Sequence, residues 1–443
     1  MTTLPPGPST PVLVQVLYAM TRPHRGMRET RKRYGDAFVV KTPIFGRALV
    51  ISDPAEIRQL FQTSPDIAEN VEPNLGRILG PGSLFALQGE AHRAQRKLLV
   101  PPFHGRRLAA FEQIVEEETV NELAGWPQGR PFPVMPSTMR ITLNAILRAV
   151  FGAEGAEFAD LRDLLPKLVA LGSKLALLPI PKRDYGSWTP WGRFRALRRE
   201  YDAVINRLID KATDLDDRND VLAMMLQSRY EDGSAMTRSE VADQLLTLLA
   251  AGHETTATTL AWAVERLRRH PDVLDALVDE VDAGGKELRE AVITEVQRVR
   301  PVIDLVGRNI RTDGFQLGRW TVPKGMNVLV SIDLIHDDPA VFPNPRAFDP
   351  SRFTGTRPDL YQWIPFGGGT RRCIGAAFAV MEMNVVLRTM LRDFTLAPTS
   401  EPDERWHSRG VASAPRDGGL AVVHRRTTGA APTATTTSRG AHS

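Results

Sequence analysis

Cys373 is the only cysteine in the 443-residue chain, so it closes no intrachain disulfide. By type alone it would be an inert, buried apolar residue. Its setting argues otherwise. The run Phe366-Gly367-Gly368-Gly369-Thr370-Arg371-Arg372-Cys373-Ile374-Gly375 places glycines and two arginines before the sulfur. The series Ala376, Ala377, Val380, Met383, Leu387, Leu391 then follows at helical spacing. A sulfur at the start of a helix meets backbone N–H groups and the positive end of the helix dipole, and both favour the thiolate. The chemistry indicated is metal ligation. A second group, Ala251-Gly252-His253-Glu254-Thr255-Thr256, sets an acid beside an alcohol inside a long helical pattern. Two β-branched residues near a glycine are poor helix formers, and such a local inconsistency marks function. In a purely structural role, Thr255 would bond back to a carbonyl and Glu254 would pair with a nearby base.

The cysteine run resembles the haem-binding loop of the cytochrome P450 family, Phe-x-x-Gly-x-Arg-x-Cys-x-Gly, met by Phe366, Gly369, Arg371, Cys373 and Gly375. Five fixed positions match by chance on the order of once in ten thousand chains of this length. The resemblance implies haem b as cofactor with Cys373 as its iron ligand. Phe366 would then cover the sulfur, Gly369 and Gly375 would let the backbone approach the macrocycle, and Arg371 would meet a haem carboxylate. The acid–alcohol hexapeptide is similar to the family segment where the central helix opens above the haem, which implies a proton relay through Glu254 and Thr255. His253 falls at that motif's variable position and points to the opposite side of the helix, so it has no catalytic role.

Two haem propionates call for cations from separate elements. His92 and Arg96, at i and i+4 on one helix face, match a pair found in many family members, and Arg308 aligns with a strand arginine of the same use. Glu295-Val296-Gln297-Arg298 is by itself an ordinary surface pair. Taken with Pro350-Ser351-Arg352-Phe353, the resemblance makes it a buried Glu295/Arg298/Arg352 triad that locks the chain ahead of the cysteine loop.

The implied activity is a haem-thiolate monooxygenase inserting one atom of O2 into a lipophilic substrate such as a fatty acid, sterol or terpenoid. Its chamber would be lined by Leu84 to Leu87, the region near residues 165 to 190, the long helix, and the apolar Val302, Ile303, Leu305 and Val306. Asp304, among these, would face a polar substrate group or solvent. No GxGxxG stands at a strand-to-helix junction, so electrons from NAD(P)H would arrive through a separate ferredoxin and reductase. Arg93, Arg96, Lys97 and Arg372 would offer that partner a positive face. Two other readings stay open: a peroxide-using or isomerising haem-thiolate enzyme, whose members tend to lose the acid–alcohol pair, and a non-enzymatic haem sensor.

These groups need a scaffold. Hydrophobic content of 42% and charged content of 24% describe a soluble globular chain with ample core. A net charge of +4, from 56 Lys and Arg against 52 Asp and Glu, is mild, and no nucleic-acid motif accompanies it. Basic residues concentrate between Arg22 and Arg33, as a solvated helix face or a contact with an anionic membrane surface. Pro5, Pro6, Pro8 and Pro11 interrupt the uncharged N-terminus, and Val12 to Met20 is too short to span a bilayer. The expectation is a cytoplasmic protein without an integral membrane anchor, with peripheral membrane contact at most. The Arg/Ala-rich composition looks bacterial, actinobacterial in particular.

The predicted fold class is mainly α with small β-sheets (α+β), one domain over residues 1–426 and a disordered Thr/Ala/Gly-rich tail over 427–443. The resemblance implies the P450 fold, a triangular prism with the haem buried beside a long central helix. Gly26 to Tyr34 reads as helix, and Ala37 to Thr42 and Arg47 to Ile51 as a hairpin around Pro43-Ile44-Phe45-Gly46. Asp53 caps a helix opening at Pro54. Helical periodicity dominates residues 89–300, with breaks near 126–133, 179–191 and 214–220. The capping box Thr237-Arg238-Ser239-Glu240 opens the longest helix, running to about Arg269 over roughly 50 Å. Val328 to Ile332 is a strand, and Phe394 to Val423 closes in short strands.

Overall fold

The computed structural model describes residues 4–426 apart from 22, 43–45, 72–73, 106, 153–154, 177 and 179–185. The expected turn at Pro43 to Phe45 and the tail over 427–443 lie outside the described residues, as does Arg22. The architecture is mainly helical with small sheets.

The longest described element starts where the capping box predicts. Thr237 accepts from the Glu240 amide, and the Glu240 carboxylate accepts from the Thr237 amide at 2.7 Å. With two orphan N–H groups satisfied, the helix runs Arg238–Leu267 for 30 residues, about 45 Å. Val241 to Leu249 and Thr256 to Leu267 are buried throughout. The helix packs most closely against helix Met135–Phe151, which also donates two hydroxyls to it. Thr138 Oγ1 reaches the Ala257 carbonyl at 3.0 Å, and Thr142 Oγ1 the His253 carbonyl at 2.9 Å. The opening implied at residues 251–256 is not present, because the helix continues through them. Thr255, Thr258 and Thr259 bond back to the carbonyls of Ala251, Glu254 and Thr255. These bonds supplement the helix ladder without breaking it.

One five-stranded sheet stands beside the helices. Its spatial order is Ala37–Thr42, Gly46–Ile51, Asn327–Ser331, Leu305–Ile310, Ala68–Asn70. The hairpin pairs Ala37 with Ile51, and the second and third strands run parallel with Ile51 opposite Val330. The alternation that predicts the hairpin also builds a second core of Leu49, Ile51, Val328, Val330 and Ile310. Asp53 caps helix Pro54–Gln62 by accepting from the amides of Ala55 and Glu56, which brings Phe61 under the cysteine loop.

The triad forms inside helix Glu287–Val299. Arg298 grips Glu295 through two bonds of 2.7 Å, both side chains fully buried, and Arg352 Nε stands 3.7 Å from Glu295. Arg298 also donates to the carbonyls of His336, Pro345 and Ala347. A buried ion pair persists only when its remaining valences are met, and these carbonyls meet them.

At the N-terminus, helix Val12–Thr21 has ten residues, and no described helix is long and apolar enough to cross a membrane. The basic stretch is largely committed within the fold. Arg31 pairs with Asp36 and Asp338, Arg28 approaches Asp337 at 3.4 Å, and Arg25 pairs with Glu29.

Candidate active site

The cysteine loop is shaped by the helix beneath it. Gly369 has φ +64°, and a Cβ there would lie 2.4 Å from the Phe61 carbonyl oxygen; at Gly368 it would lie 2.1 Å from the Phe61 ring. The amide of Cys373 donates to the Phe366 carbonyl at 3.0 Å, closing the loop over one short helical turn, Gly369–Arg371. Helix Ala376–Asp393 then begins, with Gly375 as its cap. Cys373 has protein on most sides yet keeps accessible surface, as a side chain facing an internal cleft would.

The sulfur's electrostatics reverse one expectation. Burial pushes the Cys373 thiol up, and the Gly375 amide with the charges of Arg96 and Arg372 offsets only part of that rise. The helix terminus and its cations therefore do not by themselves yield a thiolate. A metal ion on the sulfur would, since a coordinating thiol is deprotonated outright.

The four expected propionate cations are brought within electrostatic reach of one another. His92, in helix Gly89–Leu99, is buried and pushed down to about 4 by burial and then by Arg371 and Arg96. Arg308, in strand Leu305–Ile310, is 5% exposed and pushed down to about 10, mostly by burial and then by Arg371. Arg96 is also lowered, burial first, with Arg371 and Arg372 adding to it. Two of the four are already engaged. Arg371 pairs with Glu69 at 2.5 Å and donates to the carbonyls of Leu84 and Leu87, both at 2.8 Å. Arg308 donates to the Gly368 carbonyl at 2.8 Å and lies over the Phe61 ring. Among the described residues, the side chains of His92 and Arg96 have no hydrogen bond or ion pair.

Two observations test whether haem fits. The cluster holds several cations that depress one another against the single carboxylate of Glu69, which calls for an anionic guest such as a pair of propionates. Gly375 has an ordinary φ of −87°, and a Cβ there would meet no protein atom within 4 Å. The protein itself thus gives no reason for glycine at that position, whereas a flat group lying against the backbone would. The residues fit the cofactor.

On the central helix, Ala251 is exposed and Thr255 half-buried, although the flanking turns are buried. This short face of the helix is the part that protein does not cover. Thr255 Oγ1 donates to the Ala251 carbonyl at 2.8 Å. Glu254 is 7% exposed and makes a 2.8 Å ion pair with Arg409 Nε. His253 turns away, its Nδ1 2.8 Å from the Leu249 carbonyl, buried and pushed down by that burial. Nearby, Glu382 of helix Ala376–Asp393 is fully buried, its carboxyl pushed well up by burial and drawn back only by Thr256.

The segment after the triad runs toward the cysteine loop, where Val306 would touch a Cβ placed on Gly367. Leu305 is 40% exposed. Asp304 contacts protein groups, accepting from Ser413 Oγ at 2.8 Å. Phe366 sits edge-on to Trp363.

Three residues near the site escape the sequence reading. Arg409, in the turn between strands Trp406–Ser408 and Ser413–Pro415, belongs to no motif and meets Glu254 across 155 positions. Glu69 is a lone acid in a short edge strand. His336 binds the triad to the approach of the cysteine loop: Nδ1 lies 3.1 Å from the Arg298 carbonyl, and Nε2 accepts from the Ile364 amide at 3.1 Å. Only a polar ring at the buried end of a short apolar stretch, Ile332-Asp333-Leu334-Ile335, could have flagged His336 in advance.

The described geometry agrees with the likenesses found. A cytochrome P450 family model matches residues 4–421. Cytochrome P450 138 of Mycobacterium tuberculosis (strain H37Rv) is 55% identical over 426 residues, covering 96% of this chain and 97% of that protein. Cytochrome P450 135B1 of the same strain is 38% identical over 450 residues, covering 99% and 95%. Among solved structures, cyanobacterial CYP120A1 with retinoic acid bound superposes with a TM-score of 0.84 at 24% identity, covering 96% of this chain and all of that one. The haem domain of cytochrome P450DA gives 0.82 at 21% identity, covering 96% and 99%. These two show the fold alone.

Proposed function

Because the chain belongs to the cytochrome P450 family, and so is a monooxygenase that binds haem b, we propose that Cys373 would ligate the haem iron and that a lipophilic organic molecule is oxygenated beside Thr255. When bound, haem supplies the redox-active iron at which O2 is reduced and one oxygen atom passes to substrate. The protein's residues do the rest. Cys373 gives up its proton to become a thiolate ligand. His92 and Arg96 hold the propionates with free donors, while Arg308 and Arg371 fix the loop and add positive field. Gly369 and Gly375 keep the backbone close to the ring plane, and Phe366 shields the sulfur. Leu305 and Val306 exclude water from the substrate side.

Glu254 and Thr255 would hold and pass protons toward the reacting centre. Thr255 Oγ1, bonded to the Ala251 carbonyl, is held on the open face of the helix. Glu254 reaches toward Arg409, whose side chain is 34% exposed, so the acid stands between solvent and Thr255. Electrons from NAD(P)H come through a separate ferredoxin and its reductase. Arg93 and Lys97 pair with Glu90 and Glu231 at 2.7 and 2.8 Å, which leaves exposed Arg372 as the main positive group of the docking face.

The observation that carries this reading is the sole cysteine, fixed by its amide to Phe366 and flanked by Arg96 and Arg372. The carbon monoxide spectrum of the freshly reduced protein tests it. A thiolate-type Soret band that disappears in Cys373→Ser is expected. A histidine-type band in the unaltered protein would refute the ligand assignment.

A further inference from the structure

A buried cluster of titratable groups lies at the root of the segment carrying Leu305 and Val306, and the site described above does not use it. His24, in helix Pro23–Tyr34, is 6% exposed. Its Nδ1 is 3.2 Å from Asp333 Oδ1 and its Nε2 3.9 Å from Asp304 Oδ2. The ring lies against Trp406, centroids 4.0 Å apart, and Arg300 stands over the same indole. Arg28 Nε is 3.9 Å from Asp333 Oδ2, and His336, one turn further on, is pushed down to about 3 by burial first and then by Arg298, so it is neutral here. Three buried atoms here, His24 Nε2, Asp304 Oδ1 and Asp333 Oδ2, have no hydrogen-bond partner among the described residues. Such a concentration of unpaired buried polar atoms calls for an explanation.

The backbone around the cluster explains what it could control. The amide of Ile332 donates to the Asp304 carbonyl at 2.9 Å, and the amide of Ser413 to the Val302 carbonyl at 2.8 Å. Residues 302–304 are therefore stitched to the sheet on one side and to the C-terminal hairpin on the other. Of the N-terminal helix, His24 is the described side chain that faces both Asp304 and Asp333, while Arg28 approaches Asp333 from one side. Two carboxylates facing a single imidazole in a buried place attract it when it carries a proton and repel each other when it does not.

We propose that His24 is a positioning residue for the substrate chamber: protonated, it bridges Asp304 and Asp333 and fastens the root of residues 302–306, and neutral, it releases them. The proposal rests on the reading of 302–306 as chamber wall. Burial pulls His24 down, but its bond to Asp333 and the charges of Asp304 and Asp333 outweigh this and raise it overall. Asp304 is pushed up to about 6, chiefly by burial. The bridge thus exists near neutrality and is lost as pH rises through the raised value of His24. A bulky ligand against the wall senses the change, while a ligand confined to the iron does not.

The test compares the holoenzyme with His24→Gln at about pH 6.5 and about pH 8, by amide hydrogen exchange and by optical titration with 4-phenylimidazole and with imidazole. In the unaltered protein, intrinsic-rate-corrected protection of residues 302–306 and 411–415 should fall about fivefold between the two pH values. His24→Gln should show the low protection at both. At the lower pH the variant's affinity for 4-phenylimidazole should differ about threefold or more from that of the unaltered protein, with imidazole affinity unchanged. Protection that does not depend on pH, or loss spread over helix Met135–Phe151 in the variant, would overturn the proposal and leave His24 a packing residue. The expected exchange pattern with equal 4-phenylimidazole affinities would instead overturn the chamber-wall reading, and with it the functional half of the proposal.

Discussion

At the scale of single residues, the acid–alcohol pair gives up its independence to a third partner. Glu254 is almost fully buried, and Arg409 is its ion-pair partner. Arg409→Ala leaves a buried carboxylate uncompensated; because the arginine is about a third exposed, the loss should be about 1–2 kcal/mol and not the full cost of a sealed pair. Urea unfolding of the holoenzyme measures it, and Glu254→Gln combined with Arg409→Ala should cost less than the two changes added. Thr255→Ala should keep NAD(P)H consumption within about twofold while diverting most of it to peroxide; equal product and peroxide yields in both proteins would remove Thr255 from the relay. Sequence reading reached Glu254 and Thr255 through their motif. It had no route to Arg409, since a salt bridge spanning 155 positions leaves no periodic trace.

At the scale of elements, His336 shows how a short helix serves a distant loop. The helix Ile332–His336 ends with an imidazole that takes a proton donor from Ile364 and gives one to the Arg298 carbonyl. Burial, then Arg298, pushes it down to about 3. Since the unfolded histidine titrates near 6.5, the folded state binds fewer protons below that value. The contribution is complete above about pH 6.5 and declines as pH falls toward 3. His336→Leu should therefore lower stability at neutral pH by about 2–4 kcal/mol through two orphaned backbone groups. It should also flatten the acid limb of the stability curve, as chemical unfolding at a series of pH values would show.

Elements with strong local signals were legible in the sequence: the capping box at Thr237, the Asp53 cap, and the alternation in Ala37–Thr42 and Gly46–Ile51. The continuity of the central helix through residues 251–256 was not, because the expected opening came from a motif whose threonines are also able to bond back to the carbonyls of an intact helix. The thiolate bias of Cys373 was overstated for a related reason. The sequence displays the dipole and the arginines but not the desolvation that outweighs them. The four propionate partners were named from the sequence, yet only the fold separates His92 and Arg96, with donors to spare, from Arg308 and Arg371, which the protein already uses, and only burial makes His92 a neutral donor and not a cation.

At the scale of the whole molecule, the buried titratable groups bend the stability curve on the alkaline side. The histidines with lowered values still favour the folded state as pH rises to about 7.5, while the unfolded chain gives up its last imidazolium protons, and they add no slope above that. Glu56, pushed up to about 7 mainly by burial, and His24 still hold protons that the unfolded chain has released. The folded state binds more protons, so stability falls as pH rises through these values. Between about pH 7.5 and about pH 8.5 the urea midpoint should fall, and His24→Gln should reduce that fall. Electron delivery belongs to this scale too. With Arg93 and Lys97 neutralised by their own glutamates, reduction by a ferredoxin should slow only about two- to threefold as salt rises from 0.05 to about 0.2 M. Arg372→Glu should slow it far more, as stopped-flow reduction would measure.

Phe61 and the two glycines above it are about three hundred positions apart in the chain, yet with Phe61 beneath them neither glycine has room for a side chain. The ring and carbonyl of Phe61 occupy the volume that side chains at 368 and 369 would take, and Arg308 covers the ring from the strand between them. In recombination between relatives, a crossover separating residue 61 from residues 368–369 would join a loop to a floor shaped for a different partner. Such chimeras should assemble poorly when a loop bearing side chains at these two positions is set over a phenylalanine floor. The first and last thirds of this chain therefore form a single unit of inheritance.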